Sequence, residues 1–248
     1  DAIFRTSQGD VAQIPSSAAN SEPKRPFDGW SGRLDEAECK TLFASYGISC
    51  VREAVVSSAK EGGRAAASLG DRLVVKLLSN EIVHKSDIGG VQTDVAASDV
   101  PRACEEIRTR TARHLTSEPK GFLIQEFVTG GIELLLGFVR DPQLGPALML
   151  GAGGVTAELY DDTAIRLLPL GAEDVEAMLQ EMKITTILKG YRGATPCDID
   201  TLVQTVLSFE KLCRDFDSRL IAAEINPLFV MPNEGGIKAA DGTILIKT

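Results

Sequence analysis

A single lysine in the middle of an apolar run constrains this chain more than any other feature. Residues 73–78, Leu-Val-Val-Lys-Leu-Leu, have the length and the branched residues of a buried strand, and Lys76 stands at their centre. Burying an ammonium group costs roughly several kcal/mol unless an anion pairs with it, and no acidic residue lies within the run. Lys76 therefore needs an anion; otherwise it must extend along its apolar stem to water.

The loop after this strand carries groups that suit phosphate. Residues 79–88 are mostly polar and include His84 and Lys85, and the pair Gly89-Gly90 closes the loop. Glycine lets backbone amides approach a phosphate, and His84 is a potential phosphoryl acceptor. The alternative is a histidine that only fixes the loop by hydrogen bonding.

Charge and composition exclude several classes of partner. The 248 residues include 26 basic and 35 acidic side chains, which gives a net charge of −9, and the basic residues form no long cluster. Nucleic acids and anionic membranes are therefore disfavoured as partners. The longest uncharged stretch, 142–157, is too short and too rich in glycine to span a bilayer, and no secretory signal opens the chain. These observations favour a soluble, cytoplasmic protein.

The cysteines favour the same compartment. Cys39, Cys50, Cys104, Cys197 and Cys213 are scattered, odd in number and without the spacing of a metal site. We expect them to be reduced and mostly buried thiols.

The first part of the chain predicts an arm followed by a lobe of alternating helices and strands. Residues 1–32 are rich in Pro, Gly and Ser, without a regular apolar period, and are interpreted as an arm or linker. Apolar residues at helical spacing, with a glycine just past the end, predict a helix over 34–46. The other predicted elements are a strand at 51–56, a helix at 59–69, the Lys76 strand and a helix from Ser98 to about Leu115. Together they form a predicted N-terminal lobe at 33–120.

The second part predicts a C-terminal lobe at 121–248 that is richer in strands. Two apolar runs, 121–128 and 132–139, flank Thr-Gly-Gly and predict a β-hairpin. The further predicted strands are 147–150, 155–159, 164–167, 220–225, 228–231, 237–240 and 244–247. Helices are predicted at 172–182 and 198–216.

Two acidic residues near the predicted hairpin have two interpretations each. Glu126 precedes Phe127-Val128, so the backbone there is placed to meet an adenine edge while the carboxylate holds the amino group or a nearby lysine. Otherwise Glu126 is an outward-facing acid on an antiparallel sheet. Glu133, one step into the next strand, reaches either a ribose hydroxyl or water.

Three oxygen-bearing residues late in the chain predict a metal site. Glu224 and Asn226 are two apart in an apolar run, so both side chains leave one face of a strand while Ile225 packs on the other. Asp241 follows the next apolar strand and adds a third oxygen donor. A few carboxylate and amide oxygens, with nucleotide phosphates, suffice to hold Mg²⁺. The alternative is a polar strand end where Asn-Pro begins a turn, although inward polar groups are costly there without a ligand.

Other positions carry weaker signals. Gly-Ala-Gly-Gly at 151–154 is at least as often a turn between strands as a phosphate loop. Arg140 and Arg166 either neutralise phosphate or pair with the acids beside them. Glu158 and Asp162 are an alternative location for the metal.

Together these features outline a nucleotide cleft between two α/β lobes, and here a family resemblance becomes visible. From about Leu34 onward, the chain resembles the ATP-grasp subunit, or fused domain, of the NDP-forming acyl-CoA synthetases, whose relatives include the β-subunit of succinyl-CoA synthetase. The motifs that carry the resemblance are VVKLLSNEIVHKSDIGGV from Val74, LIQEFVTGGIELLLGFVRDPQLGPALMLGAGG from Leu123, RLLPL from Arg166, and EINPL from Glu224 with Asp241 downstream. The resemblance implies an α/β (α+β) ATP-grasp fold, in which two lobes enclose a nucleotide.

The same resemblance implies roles for individual residues. The implied nucleotide-binding set is Lys76, Gly89, Gly90, Glu126, Phe127, Val128 and Glu133. Within it, the lysine contacts the phosphates, 126–128 form the adenine hinge and Glu133 approaches the ribose. Asn226 and Asp241 would hold Mg²⁺. The implied catalytic residues are His84, which matches the histidine of the family's swinging loop, and Glu224, near the metal or the incoming phosphohistidine.

The implied reaction interconverts acyl-CoA, ADP and phosphate with a carboxylate, CoA and ATP, through an acyl phosphate and a phosphohistidine. This chain would bind ATP or ADP with Mg²⁺ and perform the nucleotide step by positioning and charge neutralisation. CoA would bind to an α-type partner subunit or fused domain, since this sequence shows no CoA-binding domain and no second phosphohistidine segment.

Two other functions stay open at this point. An adenylate-sensing regulatory module of a fused or partner enzyme, such as an acetyltransferase, would not need both His84 and the metal ligands. A free-standing carboxylate–amine ligase would leave His84 without a task. The chain also departs from the family pattern around Asp241, where Ala239, Ala240 and Gly242 are smaller than expected.

Overall fold

The chain forms both strands and helices in the part that the structure, a computed structural model, describes: residues 29–79, 82, 85–154 and 162–248. The described strands are β1 (Gly32–Arg33), β2 (Glu53–Val56), β3 (Arg72–Leu78), β4 (Val91–Ala96), β5 (Gly121–Glu126), β6 (Ile132–Asp141), β7 (Gly145–Ala152), β8 (Thr163–Leu167), β9 (Leu220–Val230), β10 (Ile237–Ala239) and β11 (Gly242–Ile246). The described α-helices are α1 (Glu36–Ser45), α2 (Ala59–Leu69), α3 (Val100–Thr111), α4 (Ala172–Glu181), α5 (Ile184–Leu188) and α6 (Ile199–Phe216).

The smaller lobe is an antiparallel sheet of order β2-β5-β3-β4, with α2 and α3 packed on it. Leu73, Val75 and Leu77 alternate along β3 and are fully buried in the core beneath the helices. The residue between them, Lys76, therefore leaves the opposite face of the sheet, because strand side chains alternate. That face is directed at the larger lobe, where the amine of Lys76 finds its partners.

The larger lobe is an antiparallel sheet of order β1-β11-β9-β6-β7-β8, with β10 beside β9. Its core lies between one face of this sheet and the helices α1, α4 and α6. Phe43 of α1 and Phe209 of α6 meet there with ring centroids 6.2 Å apart. The first helix therefore packs against a helix from late in the sequence, and it also contacts β11.

The predicted β-hairpin at 121–139 is wrong. β5 pairs with β2 and β3, whereas β6 pairs with β7 and β9, so residues 127–131 carry the chain from one sheet to the other. The Thr-Gly-Gly turn signal is the same for a hairpin and for such a crossover. Residue 131 must be a glycine because the backbone there passes close to residues 229 and 231. A Cβ on Gly131 would lie 2.9 Å from Met231 Sδ and 3.1 Å from Phe229 Cβ.

The sheets also divide the chain differently from the predicted lobes at 33–120 and 121–248. β5 belongs to the sheet of the smaller lobe, although it follows residue 120, the predicted boundary. β1 and α1 belong to the larger lobe, although they precede that boundary. The smaller lobe is therefore a continuous segment between two parts of the larger one. Most of the predicted arm, 1–32, lies outside the described residues.

Most predicted elements have counterparts in the structure. α2 occupies its predicted residues, while β4 and α5 were not predicted, and β9 is one strand where two were expected around Asn-Pro. The predicted strand at 155–159 lies outside the described residues. All five cysteines are free, and three of them are buried, as predicted. In the described parts of the chain, no helix is both long and apolar enough to cross a membrane.

Candidate functional site

A cavity of about 510 Å³ lies where α1, the loop after β3 and the strands β9 and β11 meet. Its wall includes Glu224, Asn226 and Asp241, the residues that the sequence predicts as the metal site. Lys85 and Ser86 of the loop after β3 face the same space. Residues more than 130 positions apart in the sequence thus share one cleft between the lobes.

Glu224 and Asn226 share one face of β9, as their spacing predicts. Ile225 between them is fully buried in the core, and Asn226 Nδ2 donates to Glu224 Oε1 at 3.2 Å. The pairing of β9 with β11 places Asp241 beside them, since Asn226 N donates to the Asp241 carbonyl at 3.2 Å. Three oxygen-bearing side chains therefore meet at one wall of the cavity.

The small residues near Asp241 have a packing reason. A Cβ on Gly242 would lie 2.9 Å from Phe43 Cζ and closer still to Cε2, and Phe43 is fully buried in the larger core. The backbone after Asp241 thus passes directly over an aromatic ring. Gly242 N donates to Asp241 Oδ1 at 2.7 Å, which fixes the carboxylate.

Lys76 obtains its anion from within the protein. Its amine donates to Glu36 Oε1 at 2.6 Å, to Asp241 Oδ2 at 3.0 Å and to the Ala240 carbonyl at 3.2 Å. Only 8% of the side chain is exposed, so it does not reach water along its stem. An ammonium group has three protons, and all three have acceptors here.

Glu36 is the centre of a buried polar network that sequence reasoning missed. Besides Lys76, its Oε1 accepts from Lys40 at 2.9 Å and from Gln125 Nε2 at 3.0 Å, while Oε2 accepts from Lys85 at 2.7 Å. The sequence shows Glu36 only as an acidic residue in the first turn of a helix, where it would favour the helix dipole. The i, i+4 spacing of Glu36 and Lys40 was the one available signal.

The network balances its charges and joins the two lobes. Glu53 of β2 contacts Lys40 and accepts from Gln125 at 2.8 Å. Counted together, Glu36, Glu53 and Asp241 face the three lysines 40, 76 and 85. Because buried ions are stable only when they are paired and fully hydrogen-bonded, removal of any one of these six charged groups leaves an excess charge.

The pairing also fixes the charge states of the central groups. Burial alone would raise the pKa of Glu36, but the charges of Lys76, Lys40 and Lys85 reverse this and hold the pKa of the carboxyl well below its usual range. Burial would likewise lower the pKa of Lys76, yet the charges of Glu36 and Asp241 raise it above its usual value. Both groups are therefore ionised at every pH near neutrality.

The cavity wall carries the ligand types of a partial magnesium site, to which oxygens from outside the protein would add the remaining ligands. Glu224 and Asp241 offer carboxylate oxygens and Asn226 an amide oxygen, which are the donors that Mg²⁺ prefers. Across the described residues, no group of three or more His, Cys, Asp or Glu side chains could hold a metal alone. Water and phosphate oxygens would therefore have to supply the remaining ligands, as is usual for Mg²⁺.

The crossover between the sheets is a second place where the two lobes are in contact. Glu126 accepts from Lys238 Nζ at 2.8 Å, from Arg52 Nε at 3.0 Å and from the Arg52 backbone at 3.1 Å. Burial works against ionisation of Glu126, but the hydrogen bonds from Lys238 and Arg52 lower its pKa below the usual value. Glu126 therefore holds a nearby lysine, while its contact with an adenine amino group stays a prediction. Phe127 follows it, with its amide donating to the Arg72 carbonyl at 3.1 Å, and Val128 continues the crossover.

Glu133 explains the glycines at 153 and 154. Its carbonyl accepts from Gly153 N at 2.8 Å, and a Cβ on Gly153 would lie 2.9 Å from that same carbonyl oxygen. On Gly154, a Cβ would lie 3.0 Å from Glu133 Oε2. Glu133 pairs with Phe229 of β9, so it lies five residues, or about 17 Å at about 3.3 Å per residue, from Glu224 along that strand.

The glycines of the loop after β3 shape a turn. Gly90 N donates to the Lys85 carbonyl at 2.7 Å, and Gly89 N donates to the Ser86 carbonyl at 3.1 Å. Gly89 has φ +72°, which glycine adopts at little cost. Both amides are occupied in this arrangement, so their contact with phosphate stays a prediction. His84 lies outside the described residues.

The weaker candidates have structural roles. Arg166 pairs with Glu181, and Arg140 donates to the Asp217 carbonyl at 2.8 Å. Asp162 is buried and accepts from the Lys183 and Ile184 amides at 2.8 and 2.7 Å, where it caps α5. Asp162 is therefore not free to bind a metal at the alternative location. The other residue of that location, Glu158, lies outside the described residues.

Comparison with known proteins adds a family match and close relatives. Residues 28–246 match the family described as ATP-grasp domain. ADP-forming acetate–CoA ligase I of Archaeoglobus fulgidus is 35% identical over 211 residues, which are 85% of this chain and 30% of that protein. ADP-forming acetate–CoA ligase II subunit beta of Pyrococcus furiosus is 31% identical over 214 residues, 86% of this chain and 91% of that subunit. The chain thus spans under a third of the first relative and nearly all of the second.

Several structures of one solved protein match this chain. That protein is the dinucleotide forming acetyl-coenzyme A synthetase 1 of Ca. Korarchaeum cryptofilum. Its complex with coenzyme A, Ca-AMPCP and HgCl+ aligns with a TM-score of 0.81 at 34% identity, over 87% of this chain and 94% of that one. Its complex with coenzyme A and Mg-AMPPCP, in which a phosphohistidine segment points towards the nucleotide binding site, aligns with a TM-score of 0.73 at 32% identity, over 87% and 93%.

Proposed function

The chain belongs to the ATP-grasp domain family, and its relatives include proteins named ADP-forming acetate–CoA ligases; from this premise we propose that it is the nucleotide-binding half of an ADP-forming acyl-CoA synthetase. The complete enzyme interconverts acyl-CoA, ADP and phosphate with a carboxylate, CoA and ATP. The observation that carries the proposal is the meeting of Glu224, Asn226 and Asp241 at one cavity, beside the ammonium group of Lys76.

In this proposal the cleft holds Mg²⁺ and an adenine nucleotide along β9. Glu126, Phe127 and Val128 of the crossover hold the base, and Glu133 reaches the ribose. Lys76 supplies a fixed positive charge to the phosphates. Phosphoryl transfer depends mainly on positioning and on such charge neutralisation, and much less on covalent catalysis by the protein. Asn226 and Asp241 supply oxygens to Mg²⁺, whose chemistry is to neutralise the charge on the transferred group. Glu224 stands beside that group.

The metal assignment is tested by calorimetric titration of the isolated chain with ADP, with and without Mg²⁺. We expect Asn226→Ala to remove most of the Mg²⁺ dependence of ADP binding while the fold survives, because one oxygen ligand is lost without a change of charge. Glu126→Gln is the control: it should weaken ADP binding equally with and without Mg²⁺. An unchanged metal dependence in Asn226→Ala would contradict the proposed site.

CoA and the acyl group belong, in this proposal, to an α-type partner subunit or fused domain. The relatives support this division, since the matching part is a separate β subunit in one of them and 30% of a longer protein in another. The relatives bear the names of ligases, which favours turnover over an adenylate-sensing regulatory role.

His84 is proposed as the transient phosphoryl carrier between this cleft and the partner. A neutral imidazole is available near its working pH, because the unperturbed pKa of histidine is about 6.5. His84→Asn should keep ADP binding while turnover with the α-type partner falls by orders of magnitude, and acid-labile phosphate should vanish from this chain. His114→Asn, at the only other histidine, is the matched control and should retain both. Failure to find labelled phosphate on His84 in the assembled enzyme would leave it a structural residue.

A further inference from the structure

The amine of Lys76 has no proton left for a phosphate. Its three acceptors are Glu36 Oε1, Asp241 Oδ2 and the Ala240 carbonyl. A direct contact between Lys76 and a phosphate oxygen therefore requires that one present acceptor gives way.

The two carboxylates that hold Lys76 differ in environment. Glu36 lies 2.6 Å from the amine, has a side chain only 1% exposed and is held by three further donors. Asp241 lies 3.0 Å away, has a side chain 35% exposed and stands at the wall of the cavity. Separating Lys76 from Glu36 would strand a buried charge, whereas Asp241 can turn to groups inside the cavity. Asp241 is thus the partner that can be exchanged.

We propose that the Lys76–Asp241 ion pair is an exchange contact, which phosphate and a divalent cation open together. A phosphate oxygen takes the place of Asp241 at the amine, the cation takes the place of the amine at Asp241, and Glu36 holds Lys76 throughout as a positioning residue. No covalent bond changes in this step. The proposal rests on the proposed function, since it assigns the phosphate to a bound nucleotide.

The exchange makes the two ligands depend on one another. Phosphate alone would leave Asp241 facing an anion, and the cation alone would leave Lys76 with one acceptor fewer. When both arrive, each displaced partner meets an opposite charge. Each ligand therefore strengthens the other beyond their association in solution, which is a coupling free energy between two sites.

The test is to measure the affinity of the protein for ADP in the presence of EDTA, which removes divalent cations. Asp241→Asn weakens the hold of residue 241 on Lys76 and keeps the oxygen that accepts from Gly242 N. We expect this variant to bind metal-free ADP about tenfold more tightly than the wild type, because the amine is released, and to gain little from Mg²⁺. Asp87→Asn is the matched control, because it removes a carboxylate from the wall of the same cavity, whereas the three acceptors of Lys76 are on Glu36, Asp241 and Ala240. Its metal-free affinity should stay within about threefold of the wild type.

Parallel titrations with inorganic pyrophosphate separate this proposal from the proposed function. If the wild type binds neither ADP nor Mg-ADP while pyrophosphate still follows the predicted order of variants, the nucleotide assignment fails and the exchange stands. If ADP binds but Asp241→Asn is no tighter than Asp87→Asn without metal, the exchange is overturned and the nucleotide assignment stands. If neither pyrophosphate nor ADP shows the order, the exchange is overturned as well.

Discussion

The two lobes are joined by ion pairs at two places, a cavity end and a crossover end, which have the same kinds of charge in different surroundings. At the cavity end, Glu36 of the larger lobe holds Lys76 of the smaller lobe, with side chains 1% and 8% exposed. At the crossover end, Glu126 of the smaller lobe holds Lys238 of the larger lobe, with side chains 11% and 32% exposed. Water screens the second pair in part, whereas the first depends on its protein partners. Similar N–O distances, 2.6 Å and 2.8 Å, therefore correspond to unequal interaction energies.

The largest expected difference between the ends comes from removing one carboxylate at each. Glu36→Gln should lower the free energy of unfolding by about 3–5 kcal/mol, because three buried lysines lose their common counter-charge. Glu126→Gln should lower it by about 1 kcal/mol or less, since its cations reach solvent. Urea denaturation of both variants measures this. Similar losses in the two variants would show that burial does not distinguish the ends.

The pH dependence of stability should show the same contrast, because proton binding to a carboxylate is linked to unfolding. The pKa of Glu36 is held well below its unfolded value, so its contribution to stability is present above about pH 4.5 and is lost as the pH falls towards the folded pKa. At about 1.36 kcal/mol per pH unit, the wild type should lose up to about 2 kcal/mol more than Glu36→Gln between pH 6 and pH 3. Parallel loss curves for the two proteins would contradict this. Glu126→Gln, compared in the same way, should show a smaller gap, because its carboxyl is less buried.

The smallest expected difference concerns one glycine at each end. Gly242→Ala places a methyl group against the buried ring of Phe43 and should cost about 2 kcal/mol by overpacking. Gly130→Ala, in the crossover, meets no atom within 4 Å and should cost about 1 kcal/mol, through its φ of +80° alone. Thermal unfolding of both variants measures the gap. A Phe43→Leu background should reduce the cost at 242 but not at 130, and an unchanged cost at 242 would mean that the ring is not the cause.

The sequence predicted what depends on local spacing. The common face of Glu224 and Asn226 follows from the period of a strand, and the need of Lys76 for an anion follows from the apolar residues around it. The identity of that anion did not follow. Glu36 lies forty residues away on a helix of the other lobe, and only tertiary packing brings the two together.

The connections between strands were the second feature that could not be predicted from local sequence. The runs on either side of Gly130-Gly131 read as a hairpin, because turn chemistry is local, while the choice of sheet depends on which neighbours bury each strand. β4 was missed because Gln92, Thr93 and Asp94 give it little apolar character. The role of His84 stays a prediction, since it lies outside the described residues.

The smaller lobe begins and ends at one point, and this bears on how the chain folds. Glu126 N donates to the Arg52 carbonyl at 2.9 Å, so the segment between them leaves the larger lobe and returns to the same place. Its sheet is closed by contacts within this segment, whereas β1 of the larger lobe must find Leu245 and Ile246 of β11. Because long-range pairing is slow, we expect the smaller lobe to form first, as an independent folding unit. Pulsed hydrogen exchange during refolding should show amides of β3 protected before those of β9, and a segment with adjoining ends should tolerate transplantation between relatives.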